Sequence, residues 1–167
     1  GKEGNLKIYF SNNQVMFELS MKEVQHPQIQ IISRLIDGEY PNYQDIIPSS
    51  FKTRVVVKKD EFLSQIKTAS LFSGKVNEIK ISTNPEKGMV VISAKSADVG
   101  EHESSVAAKV DGLALDVSFN YKYLVDGLLN ISSSEVMFDI SKEEGPCVLR
   151  PMGDASYLYV VMPIKSI

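Results

Sequence analysis

Apolar and polar positions along the chain fall into short alternating runs that recur in three sets. The first set is Lys7–Phe10, Gln14–Leu19 and Ile29–Ile32, leading into Leu35-Ile36-Asp37-Gly38. The second is Glu78–Ile81, Met89–Ile92 and Ser105–Ala108, leading into Val110-Asp111-Gly112. The third is Glu135–Phe138, Cys147–Leu149 and Tyr157–Met162. The runs are rich in β-branched and aromatic residues. Turn formers such as Ser11-Asn12-Asn13, Asn84-Pro85-Glu86-Lys87-Gly88 and Lys142-Glu143-Glu144-Gly145 separate them, which is the pattern of antiparallel strands.

The second and third sets are each preceded by a further strand and a helix. Thr53–Val57 leads into Lys59–Ala69, and Leu113–Val117 leads into Asn120–Leu129. Phe62, Ile66 and Ala69 fall at i, i+4, i+7, as do Leu124, Leu128 and Ile131, so both segments read as amphipathic helices. Asp60 and Asn120 are the expected N-caps, since their side chains can accept orphan backbone N–H groups. Each unit is therefore strand, helix, then three strands, an α+β architecture.

The first set has no helix before it, and a lone three-stranded sheet leaves one face uncovered. Residues 1–38 are accordingly expected to be the back half of a domain. The stretch Glu39–Ser50 carries Pro41 and Pro48 and cannot continue as regular structure. We place an inter-domain linker at 39–51 and one complete two-unit domain at 52–167. Between the two units of that domain the next strand is expected to begin at once after Gly112, with no linker.

Composition narrows the class. Of the 167 residues, 43% are hydrophobic and 23% charged, ordinary for a globular chain. No window approaches the roughly 18 unbroken apolar residues of a membrane span. The polar start, Gly1-Lys2-Glu3-Gly4-Asn5, has no signal-peptide pattern and no initiating Met, so the chain is expected to begin inside a longer protein. The only cysteine, Cys147, fits a reducing cytoplasm. Net charge is −3, from 18 Lys plus Arg against 21 Asp plus Glu. A protein that grips nucleic acid by neutralising phosphates carries a basic surplus, so any DNA must be held by other means.

Catalytic and metal signals are close to nil. The chain has no Gly-rich phosphate loop and no nucleophile elbow. His26 and His102 lie in polar, loop-like stretches without Cys or His at ligand spacing. Glu101, His102 and Asp98 would make a hydrolase site only if His102 were buried and tuned; a solvated turn is the favoured reading. Cys147, beside Val148 and Leu149, reads as a packed thiol. We expect no catalytic residue, no metal and no cofactor.

Apolar residues off the helix stripes are more informative. Leu71 and Phe72 follow the first helix on a polar side, and either contact another protein or tuck in where the chain turns. Near the C-terminus Pro163 cannot donate to a ladder, so Met162-Pro163-Ile164 is expected to leave the sheet edge and stay partly exposed, making an adaptable apolar surface for a peptide. Lys58, Lys59, Lys67, Lys75 and Lys122 could form a sparse positive lining if both helices face one way; each is equally an ordinary surface lysine.

Three segments carry a family pattern. Leu35–Tyr43 (LIDGEYPNY) resembles the junction between the second and third domains of bacterial DNA sliding clamps, the beta subunit of DNA polymerase III. Phe119–Leu124 (FNYKYL) is similar to the start of that family's last helix, and Tyr159–Ile164 (YVVMPI) to its C-terminal strand and tail. The spacing also matches, over essentially the whole chain.

The resemblance implies a DNA clamp fold and a head-to-tail homodimer ring around duplex DNA, helices lining the hole. Such a clamp catalyses nothing and tethers the replicative polymerase to its template. It also implies that polymerase and clamp loader insert short peptides, typically with a Gln and a Leu-Phe-like pair, into a pocket between the second and third domains. The matching positions are Pro41, Ile46, Val76, Asn120, Tyr123, Pro146, Val160, Val161, Met162, Pro163 and Ile164. Leu71 and Phe72 match the apolar pair offered to the other subunit. Asp45 stands where many relatives carry a basic residue. With the first domain and half of the second absent, this chain alone is expected neither to close a ring nor to bind peptides at full strength. The rival of another class is a standalone peptide-binding or scaffold module with no DNA role, which would need a complete N-terminal domain.

Overall fold

The structure is a computed structural model that describes residues 5–20 and 27–165. The chain divides into two compact units, Gly1–Asn42 and Tyr43–Ile167. His26 lies outside the described residues.

The first unit is an antiparallel sheet of β1 (Asn5–Phe10), β2 (Gln14–Ser20) and β3 (Pro27–Arg34), in that order. Register places Leu6 opposite Leu19, Ile8 opposite Phe17 and Phe10 opposite Val15, with Ile29 and Ile31 beyond them. One face is thus apolar but for Ser33 opposite Val15, and Leu6, Ile8, Phe10, Ile29 and Ile31 on it are exposed. The other face carries Lys7, Glu18 and Gln30, joined by contacts of 3.8 and 3.1 Å on Glu18.

The second unit holds two copies of one plan. The first copy is β4 (Thr53–Lys58), α1 (Lys59–Ser70), β5 (Glu78–Asn84), β6 (Met89–Ser96) and β7 (Gly100–Gly112). The second is β8 (Asp116–Asn120), α2 (Tyr121–Leu129), β9 (Glu135–Ile140), β10 (Cys147–Pro151) and β11 (Tyr159–Val161). The eight strands form one antiparallel sheet ordered β11-β10-β9-β4-β7-β6-β5-β8. The copies exchange strands: β4 pairs with β9 of the second copy, and β8 with β5 of the first.

Both helices bury their apolar stripes in one core and pack against each other, so they share one face of the sheet. Phe62, Ile66 and Ala69 of α1 meet Leu124 and Leu128 of α2 there, all fully buried. The Phe138 ring of β9 lies 6.3 Å from Phe62 and 5.7 Å from Phe119, each tilted, so one side chain joins both copies.

Four sequence expectations need correction. Asp60 is not the N-cap of α1. Lys58 holds that position with no side-chain cap, because β4 continues to Lys58 and the Lys59 N–H is taken by the Ser134 carbonyl at 2.9 Å. Asp60 sits instead in the first turn, where its charge complements the helix dipole. The strand expected at Leu113–Val117 is β8, Asp116–Asn120, and a three-residue connection, Leu113–Leu115, does separate the copies. Its polar groups are claimed by hydroxyls: Thr53 Oγ1 donates to the Leu113 carbonyl at 2.8 Å, and Thr83 Oγ1 accepts the Leu115 N–H at 2.9 Å. Ile131 lies beyond α2 yet is buried as the pattern requires. The last strand is shorter than Tyr157–Met162, spanning only Tyr159–Val161.

The β4–β9 seam is fastened by Arg54 and Asp139, register partners joined at 2.6 and 3.2 Å. Asp139 is fully buried, whereas Arg54 reaches solvent. Arg54→Leu strands a buried carboxylate and is expected to cost about 3–5 kcal/mol in urea denaturation, against about 1–2 kcal/mol for Asp139→Asn, which leaves no buried charge. Equal losses would show that the pair is not what holds the seam.

Cys147 faces Val161 across the β10–β11 ladder and is fully buried. Desolvation pushes its thiol up to about 12, so it stays protonated and inert near neutrality. A thiol reagent at pH 8 is expected to label it only after denaturant unfolds the domain; rapid labelling of the native protein would contradict this burial.

Candidate functional site

The C-terminal tail leaves the ladder where the sequence predicts. Val161 is the last residue of β11 and pairs with Cys147. Pro163 has no N–H to offer, and Ile164 then donates its N–H to the Ser118 carbonyl of β8 at 2.8 Å. Because β11 and β8 are the two outermost strands of the sheet, the tail bridges its ends. Met162, halfway across, is 51% exposed, and Pro163 and Ile164 are half-buried.

The wall beside the tail is α2. Asn120 caps it, its Oδ1 accepting the Lys122 N–H at 3.1 Å, which leaves the amide NH₂ as the donor side. Tyr123 and Gly127 lie one turn apart on one face. The Tyr159 ring packs where a side chain on Gly127 would sit; a Cβ there would meet it at 2.6 Å. The Tyr157 hydroxyl donates to the Gly127 carbonyl at 3.2 Å, satisfying an orphan of the helix C-terminus. The Tyr159 hydroxyl is raised above its ordinary range, first by desolvation and then by Asp126, Tyr157 and Tyr123. These contacts hold β11 to the helix, while Tyr123 stays 54% exposed.

Two more predicted residues join this surface. Pro146 immediately precedes Cys147, the partner of Val161, and is half-buried. Val76, 67% exposed, precedes Asn77, whose carbonyl accepts the Tyr121 N–H at 3.0 Å, and Glu78 pairs with Asn120. Ile46 lies exposed on the one-turn 3-10 helix Tyr43–Ile46, and Pro41 is exposed in the other unit. Asn77 thus ties Val76 to the start of α2, and Ile164 ties the tail to β8, the strand that leads into Asn120 and Tyr123. Pro41 and Ile46 are not placed by any such bond.

A groove of about 640 Å³ runs from Val76 and Ser118 over the strands, past Glu78, Lys80, His102 and Glu103. Sequence reasoning passed over it; the only signal was the alternation of charged residues along β5 and β7. Its charges largely neutralise one another or their neighbours, with Lys95 at 3.3 Å from Glu101 and Lys80 at 2.6 Å from Asp116. The Lys80 ammonium holds the Asp116 carboxyl below its usual range.

Leu71 and Phe72 part company. The helix ends at Ser70; Leu71 is 70% exposed, while Phe72 packs against the core and stacks on His102 at 5.4 Å and 15°. His102 is thus not in a loop but on β7, half-buried, with Nε2 buried and without a hydrogen-bond partner. Glu101 is committed to Lys95, and Asp98 is exposed beside Ser96, so the imagined acid–base trio is not assembled.

The lysines also divide. Lys58 pairs with Glu61 at 3.0 Å, and that hydrogen bond raises its ammonium above the usual range. Lys59 is half-buried and donates to the Ile131 carbonyl at 3.0 Å, a structural tie the sequence could not reveal. Lys67, Lys75 and Lys122 are exposed.

Comparison with known proteins places these features in a family. Residues 44–165 match the family described as DNA polymerase III beta subunit, C-terminal domain. The beta sliding clamp of Synechococcus elongatus is 28% identical over 166 residues, covering 99% of this chain and 42% of that protein. That of Staphylococcus aureus strain Mu50 is 32% identical over 167 residues, with 98% and 42% covered. Among solved structures, the sliding clamp of Bacillus subtilis superposes with a TM-score of 0.81 at 29% identity, covering 97% of this chain and 41% of that one. A Bartonella birtlesii sliding clamp bound to griselimycin gives 0.82 at 27% identity, covering 96% and 41%. The chain spans about two fifths of the length of these relatives.

Proposed function

The chain belongs to the DNA polymerase III beta subunit family, and from that premise we propose that it serves a DNA polymerase processivity factor, a ring that encircles duplex DNA and tethers its partners by short peptides. The observation that carries the reading is the tail Met162–Ile164, freed from the ladder and tied by Ile164 to Ser118 of β8, the strand that runs into α2, with Met162, Tyr123 and Val76 all exposed. We read these residues as a slot offering exposed apolar groups for two large peptide side chains, with Asn120 as a polar edge that fixes direction. Ile46 completes the slot in this reading, and polymerase and clamp loader compete for it.

Three features support the ring. Both helices lie on one face of the sheet, as a lining would require, and present exposed Lys67 and Lys122, with exposed Lys75 in the turn after α1. So few cations on a chain of net charge −3 suit an enclosure that slides, because each phosphate contact adds to the hold on DNA. Exposed Leu71 adjoins β7, whose Gly100–Ala107 half pairs only with β6 among the described residues, leaving an edge free for another subunit. In the same reading, residues 1–38 are the rear of a middle domain whose missing half covers the apolar face of β1–β3, residues 39–51 are the linker, and 52–167 are the complete third domain. The protein works in the cytoplasm without catalysis. Tethering raises the local concentration of polymerase at the primer end, so it re-engages before diffusing away.

Titrating a fluorescent Gln-x-x-Leu-Phe peptide into the chain tests the slot. Met162→Ala and Tyr123→Ala are each expected to weaken binding about tenfold, the effect of truncating one buried anchor. Unchanged affinity in both variants would sink the assignment.

A further inference from the structure

The two copies in the second unit clasp each other reciprocally. Tyr121, first residue of α2, donates its N–H to the Asn77 carbonyl at 3.0 Å; Lys59, first residue of α1, donates to the Ser134 carbonyl at 2.9 Å. Asn77 and Ser134 each immediately precede the strand that pairs with the other copy, with Glu78 opposite Asn120 and Glu135 opposite Lys58. Each clasp thus satisfies one orphan donor of a helix N-terminus.

The two clasps differ in backbone. Asn77 has φ 57°, the only positive φ at a non-glycine among the described residues, whereas Ser134 does the same task with an ordinary backbone. The clasp itself therefore does not require a left-handed residue. What differs is the preceding side chain: Val76 is thrown out to solvent, while its counterpart Ser133 turns its hydroxyl back to the Glu135 carbonyl at 2.6 Å. The left-handed step follows a turn closed by the Asn77 N–H on the Gly74 carbonyl at 3.4 Å, with Gly74 itself at φ 63°. Asn tolerates this region better than any residue but glycine, and sparsely populated backbone persists where its surroundings hold it.

We propose that Asn77 is a positioning residue of the peptide slot: its left-handed backbone sets Val76 and the first turn of α2, with Asn120 and Tyr123, as one rigid wall. This rests on the slot reading above. A β-branched residue at 77 is driven out of the left-handed region, rotating the carbonyl off Tyr121 and Val76 out of line. Glycine keeps the conformation.

The test compares Asn77→Val with Asn77→Gly for binding of the Gln-x-x-Leu-Phe peptide and for amide exchange at Tyr121, with melting temperatures confirming that both fold. Valine is expected to weaken the peptide about tenfold and speed exchange at Tyr121; glycine should stay within about twofold on both measures. If valine unfolds the chain, Asn77→Ala carries the same comparison. Wild-type affinity in Asn77→Val, alongside weakened binding in Tyr123→Ala, overturns the proposal and leaves the slot standing. Full affinity in both Met162→Ala and Tyr123→Ala overturns the slot itself and this role with it.

Discussion

The exchange of strands between the two copies is the constraint from which the rest of the domain follows. β4 lies between β7 of its own copy and β9 of the other, and β8 lies against β5, so the second copy cannot complete its sheet alone. Each helix starts directly where an exchanged strand ends, which fixes its N-terminus against the other copy. Both apolar stripes must then enter a single core, where Phe138 touches the aromatic rings of either copy. A helix pair rigidly held on one face is the consequence. Arg54 and Asp139 sit on the β4–β9 seam because a buried carboxylate is tolerated only where a cation meets it in the correct register.

The same topology explains why the useful surface lies at the tail. In the first copy, β7 runs on to Gly112 and pairs with β4 through Ala108–Gly112. In the second, β11 stops at Val161, Pro163 interrupts the donors, and a single bond from Ile164 to Ser118 stands where a five-residue ladder stands in the first copy. One half of a near-repeat is sealed and the other left ajar. Apolar side chains that a full ladder would have aligned are instead available, and Met162 is the most exposed of them.

How much of this was legible in the sequence depended on whether a local pattern or a distant partner decided each feature. Phe62, Ile66 and Ala69 announced α1 because helical period and burial coincide within a dozen residues. Asn120 was recognisable as a cap, its acceptor lying two residues from the N–H it binds. Asp60 misled because the cap of α1 comes from Ser134, far along the chain. The break at Leu113–Leu115 was invisible for a different reason: Leu115, Val117 and Phe119 continue one alternation through connection and strand alike, and only the hydroxyls of Thr53 and Thr83 distinguish the two. Lys59 and His102 looked like surface residues until tertiary contacts with Ile131 and Phe72 claimed them. The slot itself was reached through the family resemblance; residue pattern alone pointed only to an apolar tail that Pro163 would release.

The charge distribution and the slot follow from one division of labour. Lys58 and Lys59, nearest the start of α1, are tied to Glu61 and to the Ile131 carbonyl, so they serve the fold before they could serve a polyanion. What remains on the helices is sparse, and in the proposed ring a face that lets its cargo move gains nothing from more, since retention by enclosure is independent of contact strength while friction is not. In that reading peptide recognition falls to the seam between strand ends, where Tyr157 and Tyr159 lock β11 to α2. A rigid wall beside a tail that has left its ladder presents pre-formed contacts, and pre-formed contacts bind a short segment without first having to be ordered. In the proposed reading the fold holds the long molecule loosely and short ones tightly, with each task on a different surface of the same two-copy core.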